Sequence, residues 1–333
     1  MSTKILVTGA DGFIGSHVIE ELVRAGYDVR AFVYYNSFNS WGWLDSLPRE
    51  VIDAVEVVAG DIRDSSGVDA AVNGCQKVLH LAALIAIPFS YNSPDAYVQT
   101  NVTGTLNVLQ SARRHEVEHL ICTSTSETYG TAQFVPIDES HPLNAQSPYA
   151  ATKVAADQMA LAFNKSFDLP VSILRPFNTF GPRQSARAVI PTVIGQIASG
   201  ERRIALGSLH PTRDFVFVGD TARGFRQVLN CAACVGQVTN IGTGFEISIA
   251  DTVDLISEAM GVSVEVVIDE MRERPKESEV DRLVACTAKA TELFGWSPKY
   301  VGKDGLLNAL ALTIEWFKNP ANLSRYKTGL YNT

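Results

Sequence analysis

Apolar positions along the chain follow two rhythms. Short β-branched runs at Lys4–Thr8, Asp28–Val33, Val55–Ala59, Lys77–Leu81, His119–Ser124 and Val171–Leu174 read as strands. Stretches near Phe13–Ala25, Pro94–Arg114 and Ser147–Asp168 space their apolar residues as helices do. Strands that alternate with helices build a parallel sheet with helices on both faces, and nearly continuous apolar strands suit burial on both sides. The pattern predicts a doubly wound α/β fold.

After Pro176 the rhythm changes. Pro182, Pro191, Pro211, Pro275 and Pro298 punctuate shorter elements, and charge density rises through Asp269–Arg282. This predicts a smaller C-terminal α/β lobe over the ligand edge of the sheet. Phe215–Ile241 again looks rich in strand and helix, so the two parts interleave. One domain is expected over 1–175 plus about 215–245, the other over 176–214 and 246–333. The length of 333 residues accommodates both, at about 150 residues per domain.

Composition narrows the classes of function. Apolar residues at 46% and charged residues at 19% suit a packed core and exclude a tail or linker protein. Subtracting 36 acidic from 28 basic side chains leaves −8, which disfavours non-specific nucleic-acid binding. Any anionic ligand must then be held by a few local cations. Cys75, Cys122, Cys231, Cys234 and Cys286 are odd in number and widely spread, which argues against a disulfide framework and favours a reducing compartment. Cys231 and Cys234 have CxxC spacing without a second Cys/His pair, so they read as buried small residues in a helical run, and no metal site is expected. An apolar strand already begins at residue 4, leaving no room for an export leader. The longest apolar run, Val78 to Phe89, is broken by His80 and Pro88 and falls short of the roughly 20 residues that span a bilayer. A cytoplasmic protein without a membrane span is expected.

Candidate chemistry begins in the loop after the first strand. Gly9, Gly12 and Gly15 form a GxxGxxG segment with Phe13 and Ile14, at the start of the first helix. Glycines there permit a tight turn, close approach to a pyrophosphate and close helix packing, while the helix N-terminus favours an anion. A Rossmann-type dinucleotide site follows. About twenty residues on, an acid usually binds the adenosine ribose; Val33-Tyr34-Tyr35-Asn36 stands there instead. No basic residue replaces it, since Arg30 lies within the strand, so NAD is expected over NADP. Asp61 and Ile62, after the third strand, are placed to meet the adenine edge.

Tyr149 and Lys153 are offset by four residues near the start of a predicted helix, which puts both on one face. A lysine there favours the tyrosine phenolate and makes it a usable base. The preceding strand ends in Thr123-Ser-Thr125-Ser126-Glu127. With these motifs the chain resembles the extended short-chain dehydrogenase/reductases, the nucleotide-sugar epimerase and dehydratase family. The resemblance runs over nearly the whole chain and includes His80-Leu-Ala-Ala83, Asn101-Val-Thr-Gly-Thr105, Arg175-Pro-Phe-Asn178, Gly181-Pro-Arg183, Arg213 to Asp220 and Asn240 to Gly244. It implies that Tyr149 takes the proton of a sugar 4-hydroxyl as hydride leaves C4, that Thr125 hydrogen-bonds that hydroxyl, and that Leu81, Ala82, Ala83 and Tyr35 join the cofactor site. It also implies Asn178, Arg187, Val189, Arg213 and Arg274 as substrate contacts, and a homodimer packed through the Pro94–Arg114 and Ser147–Asp168 helices.

Glu127 separates reactions within the family. A 4-epimerase needs only to oxidise C4 and reduce it again, whereas a 4,6-dehydratase also needs a carboxylate to remove the C5 proton as water leaves C6. Glucose-type dehydratases carry Thr-Asp-Glu; here Ser126 replaces the Asp, so Glu127 is assigned both proton steps and Ser126 only orients the hydroxyl. The Thr-Ser-Glu order is similar to that of GDP-mannose dehydratases and UDP-glucuronate decarboxylases. Tyr35 to Asp45 and Gly181 to Pro191 look like the dehydratases of nucleotide-linked N-acetylglucosamine in legionaminic-acid-type pathways. Trp41 and Trp43 in the first stretch read either as part of that resemblance or as caps on a core edge, and Leu84-Ile85-Ala86 lacks the serine often found near the sugar. The expected function is a 4,6-dehydratase of UDP- or GDP-linked N-acetylglucosamine. Its alternatives are a UDP-glucuronate decarboxylase, a 4-epimerase and a non-catalytic dinucleotide sensor.

Overall fold

Neighbouring residues of one strand enter different cores. Ile5 and Val7 of β1 (Lys4–Thr8) are buried with Val18, Ile19 and Leu22 of α1 (Phe13–Arg24), while Leu6 between them is buried with Val108, Val78 and Ala160. Period-two alternation with apolar residues on both sides is what a strand covered on both faces requires. The computed structural model describes residues 3–327; the chain-end residues 1, 2 and 328–333, placed in the two domains by the sequence, lie outside the described residues.

The main sheet has seven parallel strands. Besides β1 these are β2 (Asp28–Tyr34), β3 (Val55–Gly60), β4 (Lys77–His80), β5 (His119–Thr123), β6 (Val171–Pro176) and the strand Val238–Ile241. From one edge they run Val238–Ile241, β6, β5, β4, β1, β2, β3. The helices Ser65–Val72, Gly104–Arg114 and Pro148–Phe167 pack on one face, α1 and Val218–Val228 on the other. The predicted doubly wound α/β sheet is the observed one. Strand order reverses between β1 and β4, and the crevice beyond their C-terminal ends is where such sheets bind ligands.

A third apolar core gathers Phe180, Ile190, Val193, Ile204 and Phe215 with Ile256, Leu310 and Phe317. The segment between its later elements returns to the sheet, where Leu283, Ala285 and Trp296 are buried and Trp296 Nε1 donates to Gly242 O at 3.0 Å. Asp214, fully buried, staples these parts: its carboxylate accepts from Thr243 N, Gly244 N and Ala285 N.

Two local expectations differ. The predicted Pro94–Arg114 helix widens into a π-helical turn over Val98–Thr103. That turn places buried Asn101 where its amide donates to Leu84 O at 2.9 Å and Thr152 Oγ1 at 3.0 Å and accepts from Leu84 N at 2.8 Å. Cys231 and Cys234 are buried as expected, but they are joined by a disulfide; the Val218–Val228 helix ends before them, leaving a single 3-10 turn at Ala232–Cys234. No helix among the described residues is long and apolar enough to cross a membrane.

Candidate active site

A cavity of about 670 Å3 opens along the C-terminal ends of β1, β2, β4 and β5. Gly9, Gly12, Phe13, Ile14 and Gly15 line it from α1. Gly9 has φ +67°, and a Cβ there would lie 2.7 Å from Ala82 N; a Cβ on Gly15 would lie 2.1 Å from Gly9 O. Only glycine lets the helix approach this closely. Gly12 caps α1 without a side-chain acceptor, so the first-turn N–H groups remain available to an anion.

The facing loop, Leu81, Ala82 and Ala83, is fixed from behind. Thr8 Oγ1 accepts from Leu81 N and Ala82 N, both at 3.2 Å, so its proton goes to His80 Nδ1 at 2.8 Å. His80 Nε2 then donates to Thr105 Oγ1 at 3.0 Å, and Thr105 donates to Asn101 O at 2.6 Å. Every member is buried, and burial pushes the His80 pKa down to about 3, which keeps the ring neutral. Asp61 and Ile62 line the cavity at the β3 end, where Arg63 grips the Asp61 carboxylate through Nε and Nη2 and holds its pKa below the usual value.

Tyr35 is not part of this wall. Side chains alternate along an extended strand, so Phe32 and Tyr34 face the cavity and Tyr35 turns to solvent with 68% of its surface exposed.

Thr125, Ser126, Glu127, Tyr149 and Lys153 share the other end of the cavity. Thr125 caps a 3-10 turn over Ser126–Tyr129, accepting from Glu127 N at 3.3 Å, and the buried Glu127 of this turn lines the cavity. Ser147 caps the Pro148–Phe167 helix at Ala150 N, placing Tyr149 in its first turn. The four-residue offset predicts that Lys153 favours the phenolate. Its ammonium instead donates to Thr123 O at 2.6 Å. Burial holds the Tyr149 pKa well above its ordinary value; the Thr125 side chain opposes this, while the negative charge of Glu127 adds to it. Burial lowers the Lys153 pKa, with Asp157 acting in the other direction.

Asp157 is the residue that motif reading missed. It lies one turn beyond Lys153 and pairs with buried Arg175 at 2.8 Å, while Arg175 Nε donates to Ser124 Oγ at 3.1 Å. The 149, 153, 157 spacing was the available signal.

Asn178, Arg187 and Arg274 line the cavity at the lobe side. Arg274 lies 3.8 Å from Glu127 Oε2 and 3.6 Å from Glu279 Oε1. Arg213 is buried outside the cavity lining, 3.4 Å from the same Glu279 oxygen and donating to Thr212 O, and the charges of Glu127, Arg274 and Glu279 act on it. Val189 is not in the wall; as the first residue of an apolar helix it packs on the third core. Trp41 and Trp43 do not line the cavity either, and Trp43 packs on Trp316 and Tyr326. Thr123 Oγ1, Asn178 Oδ1 and Gln184 Oε1, all from cavity-lining residues, are buried without a hydrogen-bond partner. Orphaned polar atoms in the same cavity as a glycine-lined helix N-terminus fit a dinucleotide and a second polar ligand.

The family profile described as GDP-mannose 4,6 dehydratase matches residues 6–308. A dTDP-glucose 4,6-dehydratase of Streptomyces antibioticus is 31% identical over 320 residues, covering 95% of this chain and 92% of the relative. The solved dTDP-glucose 4,6-dehydratase of Streptomyces venezuelae, with NAD bound, superposes with a TM-score of 0.83 at 27% identity, covering 98% of this chain and 99% of the other. A variant of the UDP-glucuronic acid 4-epimerase of Bacillus cereus, in complex with UDP-4-deoxy-4-fluoro-glucuronic acid and NAD, gives 0.86 at 27% identity, with 95% and 99% covered. The glycine loop, the Tyr149–Lys153 helix and these similarities together show that the chain belongs to the extended short-chain dehydrogenase/reductase family of nucleotide-sugar dehydratases and epimerases.

Proposed function

We propose that the protein is an NAD-dependent 4,6-dehydratase that converts UDP- or GDP-linked N-acetylglucosamine to its 4-keto-6-deoxy form. The carrying observation is that buried Glu127 shares one cavity with Tyr149 and adds to the electrostatics of its phenol. The glycine loop, Asp61, Leu81 to Ala83 and Lys153 would hold NAD, which when bound would supply a reversible hydride acceptor between C4 and C6 of the sugar. Tyr149 takes the C4 hydroxyl proton, with Thr125 hydrogen-bonded to that hydroxyl. Glu127 removes the C5 proton and delivers it to the C6 hydroxyl, which departs as water while Ser126 orients it. The proton taken by Tyr149 returns through solvent to C5, so the sugar loses one water overall. Asn178, Arg187 and Arg274 contact the nucleotide diphosphate, with Arg213 supporting Arg274 through Glu279. The resemblance of residues 35–45 and 181–191 to the legionaminic-acid-type subgroup supports the N-acetylated sugar. A homodimer packed through the helical run Pro94–Arg114 and the Pro148–Phe167 helix completes this reading.

The Arg274 guanidinium, 3.8 Å from Glu127 Oε2, favours a second reading, a 4-epimerase, in which the carboxylate orients this cation and takes no proton from the sugar. Mass spectrometry after incubation with UDP- and GDP-N-acetylglucosamine separates them. Loss of one water supports the dehydratase, and an unchanged mass with an inverted C4 supports the epimerase. Loss of carbon dioxide from UDP-glucuronate identifies a decarboxylase, and no conversion of any nucleotide sugar indicates a sensor.

A further inference from the structure

The end of β2 poses a problem for cofactor recognition. The acid that usually receives the adenosine-ribose hydroxyls of NAD stands there, but in this chain the position is filled by Val33, Tyr34, Tyr35 and Asn36. The structure brings a carboxylate to the same place from another segment. Asp11, inside the glycine loop after β1, lines the cavity, and its Oδ2 accepts from Tyr34 N at 3.3 Å. The side chain therefore sits at the tip of β2 although the residue belongs to a different strand's loop.

Its surroundings fix it there. Trp43 N donates to Asp11 O at 3.0 Å. Gly42, at φ +61°, packs so close that a Cβ would lie 2.6 Å from that oxygen. The groups acting on the carboxylate are its burial and backbone N–H donors, with no cation among them. Arg63, the cation lining this end of the cavity among the described residues, is already engaged by Asp61 through two nitrogens. A cofactor phosphate would meet a carboxylate here and no available guanidinium.

We propose that Asp11 replaces the missing strand-end acid: its carboxylate accepts the adenosine-ribose hydroxyls of NAD and excludes the 2′-phosphate of NADP. The cofactor preference then resides in the third position of the glycine loop. This assignment concerns the cofactor alone and does not depend on which sugar reaction the protein performs.

Titrating cofactor-free protein with NADH and NADPH, followed by nicotinamide fluorescence, tests it without any turnover. In Asp11→Asn, which keeps an oxygen for Tyr34 N–H, NADH should bind about tenfold more weakly, as expected for loss of a charge-assisted hydrogen bond. NADPH should bind more tightly than to the unsubstituted protein. An NADH-to-NADPH preference within twofold of the unsubstituted protein would overturn the proposal. Should the variant not fold, the unsubstituted protein decides. NADH lacking the adenosine 2′-hydroxyl should bind it about tenfold more weakly than NADH, and equal binding would overturn the assignment.

Discussion

Lys153 Nζ donates a hydrogen bond to the Thr123 carbonyl oxygen at 2.6 Å and so ties the Pro148–Phe167 helix to the end of β5. The lysine is an anchor for the active-site helix as well as a charge near the base. Thr123 is the last residue of β5, beyond the end of its pairing with β4. The ammonium supplies a hydrogen bond to the backbone at this strand end.

Two substitutions should separate anchor from base. Lys153→Met leaves the Thr123 carbonyl unsatisfied, so stability should fall by about 1–3 kcal/mol, with turnover falling as well. Tyr149→Phe keeps the packing of the ring and should leave the urea midpoint nearly unchanged while turnover drops about 10²–10⁴-fold. Equal losses of stability in both variants would contradict this division.

The sheet was legible because its inner strands β1, β4, β5 and β6 are buried on both faces, which writes their apolar runs directly into the sequence. The glycine loop and the Tyr149–Lys153 pair were legible because both act within one turn of local structure. Partnerships across the chain were not. Asp11 meets Tyr34 from 23 residues away, and Arg213 meets Glu279 from 66 residues away. Tyr34 and Tyr35 are both exposed, and of the two only Tyr34 borders the cavity, a distinction of one residue at a strand end that the sequence does not record. The π-helical turn at Asn101 reflects tertiary contact with Leu84 and Thr152, which no helical periodicity records.

His80 should make the protein acid-sensitive. Its pKa falls from 6.5 to about 3 in the folded chain because burial penalises the charged ring. The unfolded chain binds a proton that the folded chain refuses, so stability falls as pH drops from about 6.5 towards about 3. His17, pushed to about 3 by burial and by Arg183, acts in the same direction. His80→Gln should lower stability at neutral pH by opening the Thr8–His80–Thr105 network, yet lose less on acidification. Urea midpoints measured at pH 7 and pH 4.5 compare the two slopes, and parallel slopes would refute the role given to His80.

Glu127→Gln should split the reaction into two observable parts. The Glu127 charge is one cause of the raised Tyr149 pKa. Removing a nearby negative charge favours the phenolate, so its pKa moves down and C4 oxidation reaches its plateau at lower pH. Nicotinamide absorbance after mixing with sugar nucleotide should therefore appear normally at neutral pH. Water loss, which needs the carboxylate, should fall by about 10²–10⁴-fold. Unchanged water loss would leave Glu127 no proton-transfer role.

Arg175 and Asp157 set the foundation under that chemistry, and their contribution should be conditional on each other. Both are almost wholly buried and 2.8 Å apart, Asp157 on the helix that carries Tyr149 and Lys153 and Arg175 on β6. Asp157→Ala leaves Arg175 charged in the interior, which should cost about 3–5 kcal/mol. Replacing both, with Asp157→Leu and Arg175→Met, removes the stranded charge and should recover much of that loss. Asp157 is also the largest influence holding the Lys153 pKa up against burial, so the double variant should lose its active-site ammonium at lower pH even where its fold is restored. Recovery of stability without recovery of turnover at high pH is the expected signature, measured by urea unfolding and by rate against pH. A double variant as unstable as Asp157→Ala would mean that the pair is held by packing and not by charge.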